Sequence, residues 1–124
     1  MKRIILEMGT GNDLYDEDYT KAACRAVDDA LHHSSLVLFR SLGYDHADME
    51  VRVTIAVQEP SKVDAAIVAG KLPRGNAIVT VVKGGLDVVD DVHNTRSVIA
   101  TAAVEACLDI NPDEWVAAQF KPAG

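Results

Sequence analysis

The chain has 124 residues, of which 48% are hydrophobic, and 19 acidic against 12 basic side chains give a net charge of −7. This length predicts one domain, residues 1–124, with a core that needs no disulfide or metal. The negative charge argues against a nucleic-acid binder and against docking on anionic membranes. No apolar run is long enough to cross a membrane, and the two cysteines form no CxxC motif, so we expect a cytoplasmic protein.

The first half of the chain predicts a strand, a helix and a second strand. Residues 3–8 are almost continuously apolar, which is typical of a buried strand. From Asp18 apolar residues recur at every third or fourth position, which predicts an amphipathic helix that continues to about Leu42. Asp16 or Asp18 can cap its start. Residues 50–57 alternate between apolar and polar side chains and predict a half-buried strand.

The next segments predict a short helix and two strands. The helix begins at Pro60 and ends near Gly70. Residues 77–82 are rich in β-branched side chains, which favour a third strand. The Gly84-Gly85 pair permits a tight turn, after which residues 86–89 return as a short fourth strand.

The last part of the chain predicts helices. Residues 95–108 are interpreted as a second long helix that buries Val98, Ile99, Ala102, Ala103 and Ala106. A final helical turn carries Trp115 and Phe120. The order β-α-β-α-β-β-α predicts an α/β (α+β) fold, a single mixed four-stranded sheet with helices packed on it. The sparse aromatic residues and the alanine-rich first helix predict a dimer or trimer.

The first candidate site is a strand-to-helix turn at Gly9-Thr10-Gly11-Asn12-Asp13, whose glycines expose backbone N–H groups. Four acids crowd this turn and would repel a phosphate, and the third glycine of a dinucleotide-binding fingerprint is missing. We therefore expect a cation, an amine or a neutral polar ligand, with no cofactor except a divalent cation that the acids could hold. The alternative is a glycine turn with a helix cap. The four acids are Asp13, Asp16, Glu17 and Asp18.

The second candidate site consists of His33 and the hydroxyl of Ser34. Asp29 lies four residues before His33 and could orient its imidazole. A histidine beside a carboxylate and a hydroxyl is the minimal set for general-base catalysis, but a structural histidine has the same pattern. About 20 Å of helix separates His33 from the glycine turn. A shared site with Asp13 therefore requires a neighbouring subunit or a break in the helix near Ser34.

The third candidate is Lys83, which precedes two glycines and could meet an anionic substrate or be an exposed hairpin lysine. Neither His46 nor His93 has a partner at the spacing of a zinc site. In the catalytic reading Asp13 and His33 move protons. The groups expected to bind the ligand are Gly9, Gly11, Asn12, Tyr15, Ser34 and Lys83.

The run from Glu7 to Ala23, together with His32-His33-Ser34-Ser35-Leu36, resembles a family of short bacterial proteins with longer plant members and no assigned function. That family carries an N-terminal GxGxDxHG signature. Gly9, Gly11 and Asp13 match it, whereas Tyr15 and Asp16 stand where its histidine and last glycine belong. Because that histidine is replaced, the resemblance does not imply for this chain any metal or acid–base role that the histidine has in the family.

The segment from Met8 to Thr20 also resembles the first of three related domains in the ring-opening amidohydrolases, the group of cyanuric acid hydrolase and barbiturase. This resemblance implies a shared fold. Those enzymes use serine nucleophiles paired with lysines, but Gly9-Thr10 stands at the position of the lysine, and Gln58-Glu59-Pro60-Ser61 replaces the Ser-Gly-Gly run. The activity is therefore not implied.

Three functions follow from these patterns. The first is a cytoplasmic oligomer that holds a small polar ligand at the glycine turn. The second is a small-molecule hydrolase or proton-transfer enzyme related to the ring-opening amidohydrolases. The third is a structural, ring-forming subunit whose acidic turn is a solvated helix cap.

Overall fold

The computed structural model describes residues 1–32, 48–72 and 75–109. The strands are β1 (Lys2–Asp13), β2 (Glu50–Val57), β3 (Asn76–Lys83), β4 (Leu86–Asp90) and β5 (Thr95–Leu108). The helices are α1 (Tyr19–His32) and α2 (Ala65–Ala69), and a 3-10 turn spans Pro60–Lys62. The expected continuation of the first helix beyond His32 and the last helical turn with Trp115 and Phe120 lie outside the described residues.

The five strands form one mixed sheet, in which four strands follow the order β1-β5-β2-β3 and β4 pairs with β5 off this path. The central strand β5 is antiparallel to β1 along one edge and antiparallel to β2 and β4 along the other. β2 and β3 run parallel, joined by the connection that contains α2. The prediction of a mixed sheet with helices packed on it is confirmed, and the four predicted strands occur in the predicted order.

The prediction of a helix over residues 95–108 is wrong, because this segment is the long strand β5. Alanines made the segment look helical, but its even-numbered residues from Val98 to Leu108 are all buried, which is the two-residue period of a strand. Hydrogen bonding to β1, β2 and β4 outweighs the high helix propensity of alanine, because tertiary pairing overrides local propensity. The sheet therefore has five strands where four were expected.

The predicted glycine turn after the first strand is also wrong, because β1 continues through both glycines to Asp13. Gly9 and Gly11 face α1, and a Cβ on either residue would lie within 3.0 Å of the backbone of Ala26. Ala26 and its helical neighbours Ala22 and Ala30 are completely buried. Glycines on β1 and alanines on α1 let the two backbones pack closely, so the glycines serve packing and not a turn.

The Gly84-Gly85 turn leads β4 away from β3, although a return onto β3 was expected. β4 pairs with the first part of β5, with Leu86 opposite Ile99. Gly85 has a φ of +64°, a conformation that favours glycine, and a Cβ there would collide with the carbonyl oxygen of Ile99. The two glycines therefore direct the chain from the end of β3 across the end of β2.

Both helices pack on one face of the sheet, where Val51, Val53, Ile55 and Val57 of β2 form the centre of the core. This strand has the predicted boundaries and the predicted alternation. Asp18 caps α1 as expected, since its side chain accepts a hydrogen bond from the Lys21 N–H at 3.0 Å. Among the described residues, no helix is long and apolar enough to cross a membrane.

Candidate functional site

Asp13 anchors the start of α1 at the end of β1. Its carboxylate is only 3% exposed and accepts a hydrogen bond from the Asp18 N–H at 3.0 Å. The other carboxylate oxygen lies 3.6 Å from the Arg25 guanidinium and 3.9 Å from the Lys21 ammonium. Arg25 also donates to the carbonyl oxygen of Asn12 at 2.7 Å. Two cations and a backbone donor from the chain itself therefore surround this carboxylate.

A second aspartate lies on the same rung of the sheet as Asp13. Val98 of β5 is paired with Asp13 on one side and with Asp87 of β4 on the other. Two strand spacings separate these aspartates by about 10 Å, and both lie on the face that α1 covers. The first turn of α1 thus sits above Val98, held by Asp13 at one end and by Asp87 at the other.

Asp87 belongs to a group of five side chains that we call the Tyr19 cluster. The hydroxyl of Tyr19 lies 2.5 Å from Oδ2 of Asp87 and 2.9 Å from Oε2 of Glu59. Arg96 lies 3.5 Å from the same Glu59 oxygen and 3.7 Å from Asp87 Oδ2, and Lys62 lies 3.3 Å from Glu59. The members are Tyr19, Glu59, Lys62, Asp87 and Arg96.

The cluster has a buried floor and an exposed rim. Tyr19 is 3% exposed, and the side chain of Asp87 is 14% exposed. The rim consists of Arg96 and Lys62, which are 41% and 60% exposed. Long flexible cations therefore cover a tyrosine and a carboxylate that lie beneath them.

Gln58 fixes the wall of the cluster that follows β2. Its side-chain amide donates to the carbonyl oxygens of Gly84 and Gly85, at 2.9 and 3.2 Å. These bonds tie the turn before β4 to the end of β2, and so set the position of Asp87 relative to Glu59.

The protonation states of the cluster follow from its contacts. Burial, and then hydrogen bonding to Asp87 and Glu59, raise the pKa of Tyr19 well above its ordinary value. The hydrogen bonds from Tyr19 and Lys62 lower the pKa of Glu59. Near neutral pH Tyr19 is therefore a hydrogen-bond donor and Glu59 an ionised acceptor.

The donors of the cluster do not satisfy all of its acceptors. Tyr19 has one hydroxyl hydrogen but two carboxylate oxygens within bonding distance. The second oxygen of Asp87, Oδ1, is buried and accepts no hydrogen bond from the described part of the chain. A buried acceptor without a donor is costly and is rarely found in folded proteins.

The ligand residues expected from the sequence do not form a pocket around the glycines. Gly9 and Gly11 pack against α1, and Tyr15 is 84% exposed in the loop before α1. Lys83 is an exposed residue at the end of β3, opposite Val57. His33 and Ser34 lie outside the described residues. Asp29, which was expected to orient His33, accepts a hydrogen bond from the Thr10 N–H at 3.0 Å.

Two acids of the loop before α1 have partners within the chain. Asp16 lies 3.4 Å from the Lys21 ammonium, and Asp18 accepts the hydrogen bond that caps α1. Over residues 1–32, 48–72 and 75–109, no group of three or more histidines, cysteines or acids is arranged to hold a metal ion.

The sequence reasoning missed the Tyr19 cluster, although each member left a signal. Asp87 lies between two apolar residues of a strand, and Glu59 is the second residue after β2. Tyr19 falls within the predicted first helix, and Arg96 falls within the segment that was predicted as a second helix. A charged side chain inside an apolar strand is the signal that could have directed attention to this end of the sheet.

Comparisons with known proteins agree with this fold. A family model described as conserved hypothetical protein, Lin0512_fam, matches residues 3–106. A crystal structure described as an FtsZ-like protein of unknown function, from Nostoc punctiforme, is 34% identical in sequence with a TM-score of 0.78. The match covers 88% of this chain and 97% of that chain. A search of curated proteins gave no match. The resemblance to a short conserved family without an assigned function is confirmed, whereas the resemblance to ring-opening amidohydrolases stays a prediction.

Proposed function

The chain belongs to the conserved hypothetical family Lin0512_fam, and we propose that it binds a small polar molecule at the Tyr19 cluster. The proposal keeps the expected kind of ligand and moves the site from the glycines of β1 to the opposite side of the first turn of α1. The observation that carries it is Oδ1 of Asp87, a buried acceptor that receives no hydrogen bond from the described residues and lies beneath the exposed cations of the rim.

The charges of the cluster define the chemistry of the ligand. Asp87 and Glu59 offer carboxylate oxygens to a donor, and Arg96 and Lys62 offer N–H groups to an acceptor. The cluster contains two anions and two cations, so a neutral or zwitterionic ligand fits it better than a strongly charged one. A primary amide or an amino acid carries such a donor and acceptor close together.

Access to Asp87 depends on the rim. Arg96 contacts both carboxylates at 3.5–3.7 Å, which is longer than a strong bidentate pair, and its side chain is 41% exposed. Such a contact contributes little to stability and is readily exchanged. When Arg96 turns outward, a ligand can donate to Asp87 and accept from Arg96.

Binding is favoured over proton transfer by the titration of the cluster. General acids and bases work best when their pKa lies near the working pH. The pKa of Tyr19 is raised and that of Glu59 is lowered, so both move away from neutrality. The alternative of a hydrolase or proton-transfer enzyme therefore has less support than a binding protein.

A thermal-shift screen with matched variants tests this proposal. The screen contains acetamide, glycinamide, urea, glycine and glycerol, and it compares the wild type with Arg96→Gln. Arg52→Gln is the control, because Arg52 also contacts a carboxylate but lies on the opposite face of the sheet. We expect at least one amide or amino acid to raise the Tm of the wild type and of Arg52→Gln, but not that of Arg96→Gln.

Two results would contradict the proposal. One is a screen in which no compound changes the Tm of the wild type. The other is a Tm increase of equal size in Arg96→Gln, which would place the binding elsewhere. In either case the role of the cluster would be structural, namely to hold α1 against β4.

A further inference from the structure

The face of the sheet opposite α1, called the open face, exposes large apolar side chains. Six of them are 41–69% exposed, and exposed large apolar side chains gathered on one face are typical of interaction surfaces. They border the sheet on β1, β3 and β4. These residues are Leu6, Met8, Ile78, Val82, Leu86 and Val88.

Part of the centre of the open face is made of small side chains. One row across the strands consists of Thr10, Thr101 and Ala56, followed by Val82 at the edge. The small residues of this row and the larger apolar ones at the margin give a shallow surface at this end of the sheet, whereas the charged side chains of β2 and β5 lie at the other end. A second sheet can approach such a surface to the usual distance of about 10 Å.

The charges of the open face nearly cancel, unlike those of the whole chain. Over the five strands this face carries two cations and three anions: the pairs Arg3–Glu105 at 3.6 Å and Arg52–Glu50 at 2.6 Å, and Asp90 at the end of β4, which lies 2.7 Å from His93. The whole chain has a net charge of −7, so two copies repel each other through most of their surface. A nearly neutral apolar face is where two copies can meet with the least repulsion.

From this combination we infer that the open face binds the open face of a second copy of this chain. A cationic partner would find only one excess negative charge here, that of Asp90, and an acidic partner would find no excess positive charge. The self-association expected from the sequence was assigned to the alanines of α1, but these are buried against β1. The inference moves the contact to the other face of the sheet, and it does not depend on the proposed ligand site.

Light scattering after gel filtration at about 50 μM tests this inference. We expect the wild type to have at least twice the mass of a single 13.3 kDa chain. Met8→Lys with Val82→Lys places two cations on each open face, and we expect it to give the mass of a single chain. Ile67→Lys is the control, since Ile67 is 54% exposed on α2 and lies on the other face; it should keep the wild-type mass.

Because both substituted side chains are exposed in one copy, the double variant should fold, and circular dichroism checks this. If it does not, Met8→Lys alone is used, since Met8 is the more exposed of the two at 69%. A single-chain mass for the wild type would overturn the inference, even if the open face binds a different protein in the cell. An unchanged mass in a folded Met8→Lys variant would also overturn it.

Discussion

At the scale of single residues, Tyr19 connects three parts of the chain that are distant in sequence. It begins α1, and its hydroxyl contacts Glu59 and Asp87, which are 40 and 68 residues away. Removing this hydroxyl leaves two carboxylates without their shared donor. The hydroxyl is therefore expected to contribute more to stability than a hydrogen bond at the surface.

We predict that Tyr19→Phe lowers the free energy of unfolding by about 2 kcal/mol at pH 7, the range for hydrogen bonds to charged groups. The difference from the wild type should shrink above pH 10. The pKa of Tyr19 is raised in the folded state, so its contribution is complete below the ordinary pKa of 10.0 and is lost as the pH rises. Urea unfolding at pH 7, 9 and 11 measures this difference. Tyr15→Phe, at an 84% exposed tyrosine, is the control and should change little.

Glu59 should give the opposite pH dependence. Its pKa is lowered in the folded state, so its contribution is present above the ordinary pKa of 4.5 and is lost as the pH falls below it. We predict that Glu59→Gln flattens the acid limb of the curve of stability against pH between pH 5 and 3. An acid limb identical to that of the wild type would mean that Glu59 has no ionic role in the cluster.

The Asp13 side chain should contribute to the stability of the fold and not to ligand binding. Asp13→Ala removes the acceptor of the Asp18 N–H and leaves Arg25 and Lys21 without their buried partner. We expect a loss of about 2 kcal/mol in urea unfolding. If Asp13 is instead catalytic or binds the ligand, the ligand response of the thermal-shift screen should disappear while stability stays near the wild type.

At the scale of elements, the contact between β1 and α1 explains a sequence signal that resembled a ligand-binding turn. Two glycines of β1 pack against three alanines of α1, so the two backbones are in direct contact without large side chains between them. Gly9, Gly11 and Asp13 of the family signature thus have packing and anchoring roles in this chain.

Gly9→Ala should therefore be strongly destabilising. The added methyl group would collide with the backbone of Ala26 and Ala30, which cannot move without shifting α1. We predict a loss of about 3 kcal/mol, at the upper end for an overpacked core, or failure to fold. Thr10→Ala, at the exposed residue between the two glycines, is the control and should cost much less. A Gly9→Ala protein with the wild-type Tm would disprove the packing role.

Elements with a clear period could be predicted from the sequence, and the others could not. The alternation of β2 gave its boundaries, because one face is buried and the other is not. The segment of β5 contains alanine and β-branched residues that fit both a helix and a strand. Its state is decided by pairing with β1, β2 and β4, and such pairing between distant segments is not visible in local periodicity.

The distance in sequence between residues that meet in the fold also explains why Asp13 was found from the sequence and the Tyr19 cluster was not. Asp13 was singled out because its acidic neighbours are close in sequence. The Tyr19 cluster draws one residue or two from each of α1, β4, β5 and the segment after β2, so its members meet only when the sheet forms. Local motifs do not reveal a cluster assembled across a sheet.

At the scale of the whole molecule, the two faces of the sheet have different roles. One face carries α1, the core and the Tyr19 cluster, and the other is the nearly neutral, apolar open face. The proposed ligand site and the proposed contact between copies therefore lie on opposite sides. Variants on one side should leave the other function intact, which allows the two proposals to be tested separately.

The central claim is that the Tyr19 cluster binds a small polar molecule, and an NMR titration of the isotope-labelled protein tests it most directly. Glycinamide is added while the side-chain Nε–H of Arg96 and the backbone amides of Gln58, Glu59 and Asp87 are followed. We predict saturable shifts at these groups, with the amides of Thr54 and Thr101 on the open face unchanged. The absence of shifts at the cluster with glycinamide, acetamide and glycine alike, or equal shifts on both faces, would contradict the claim.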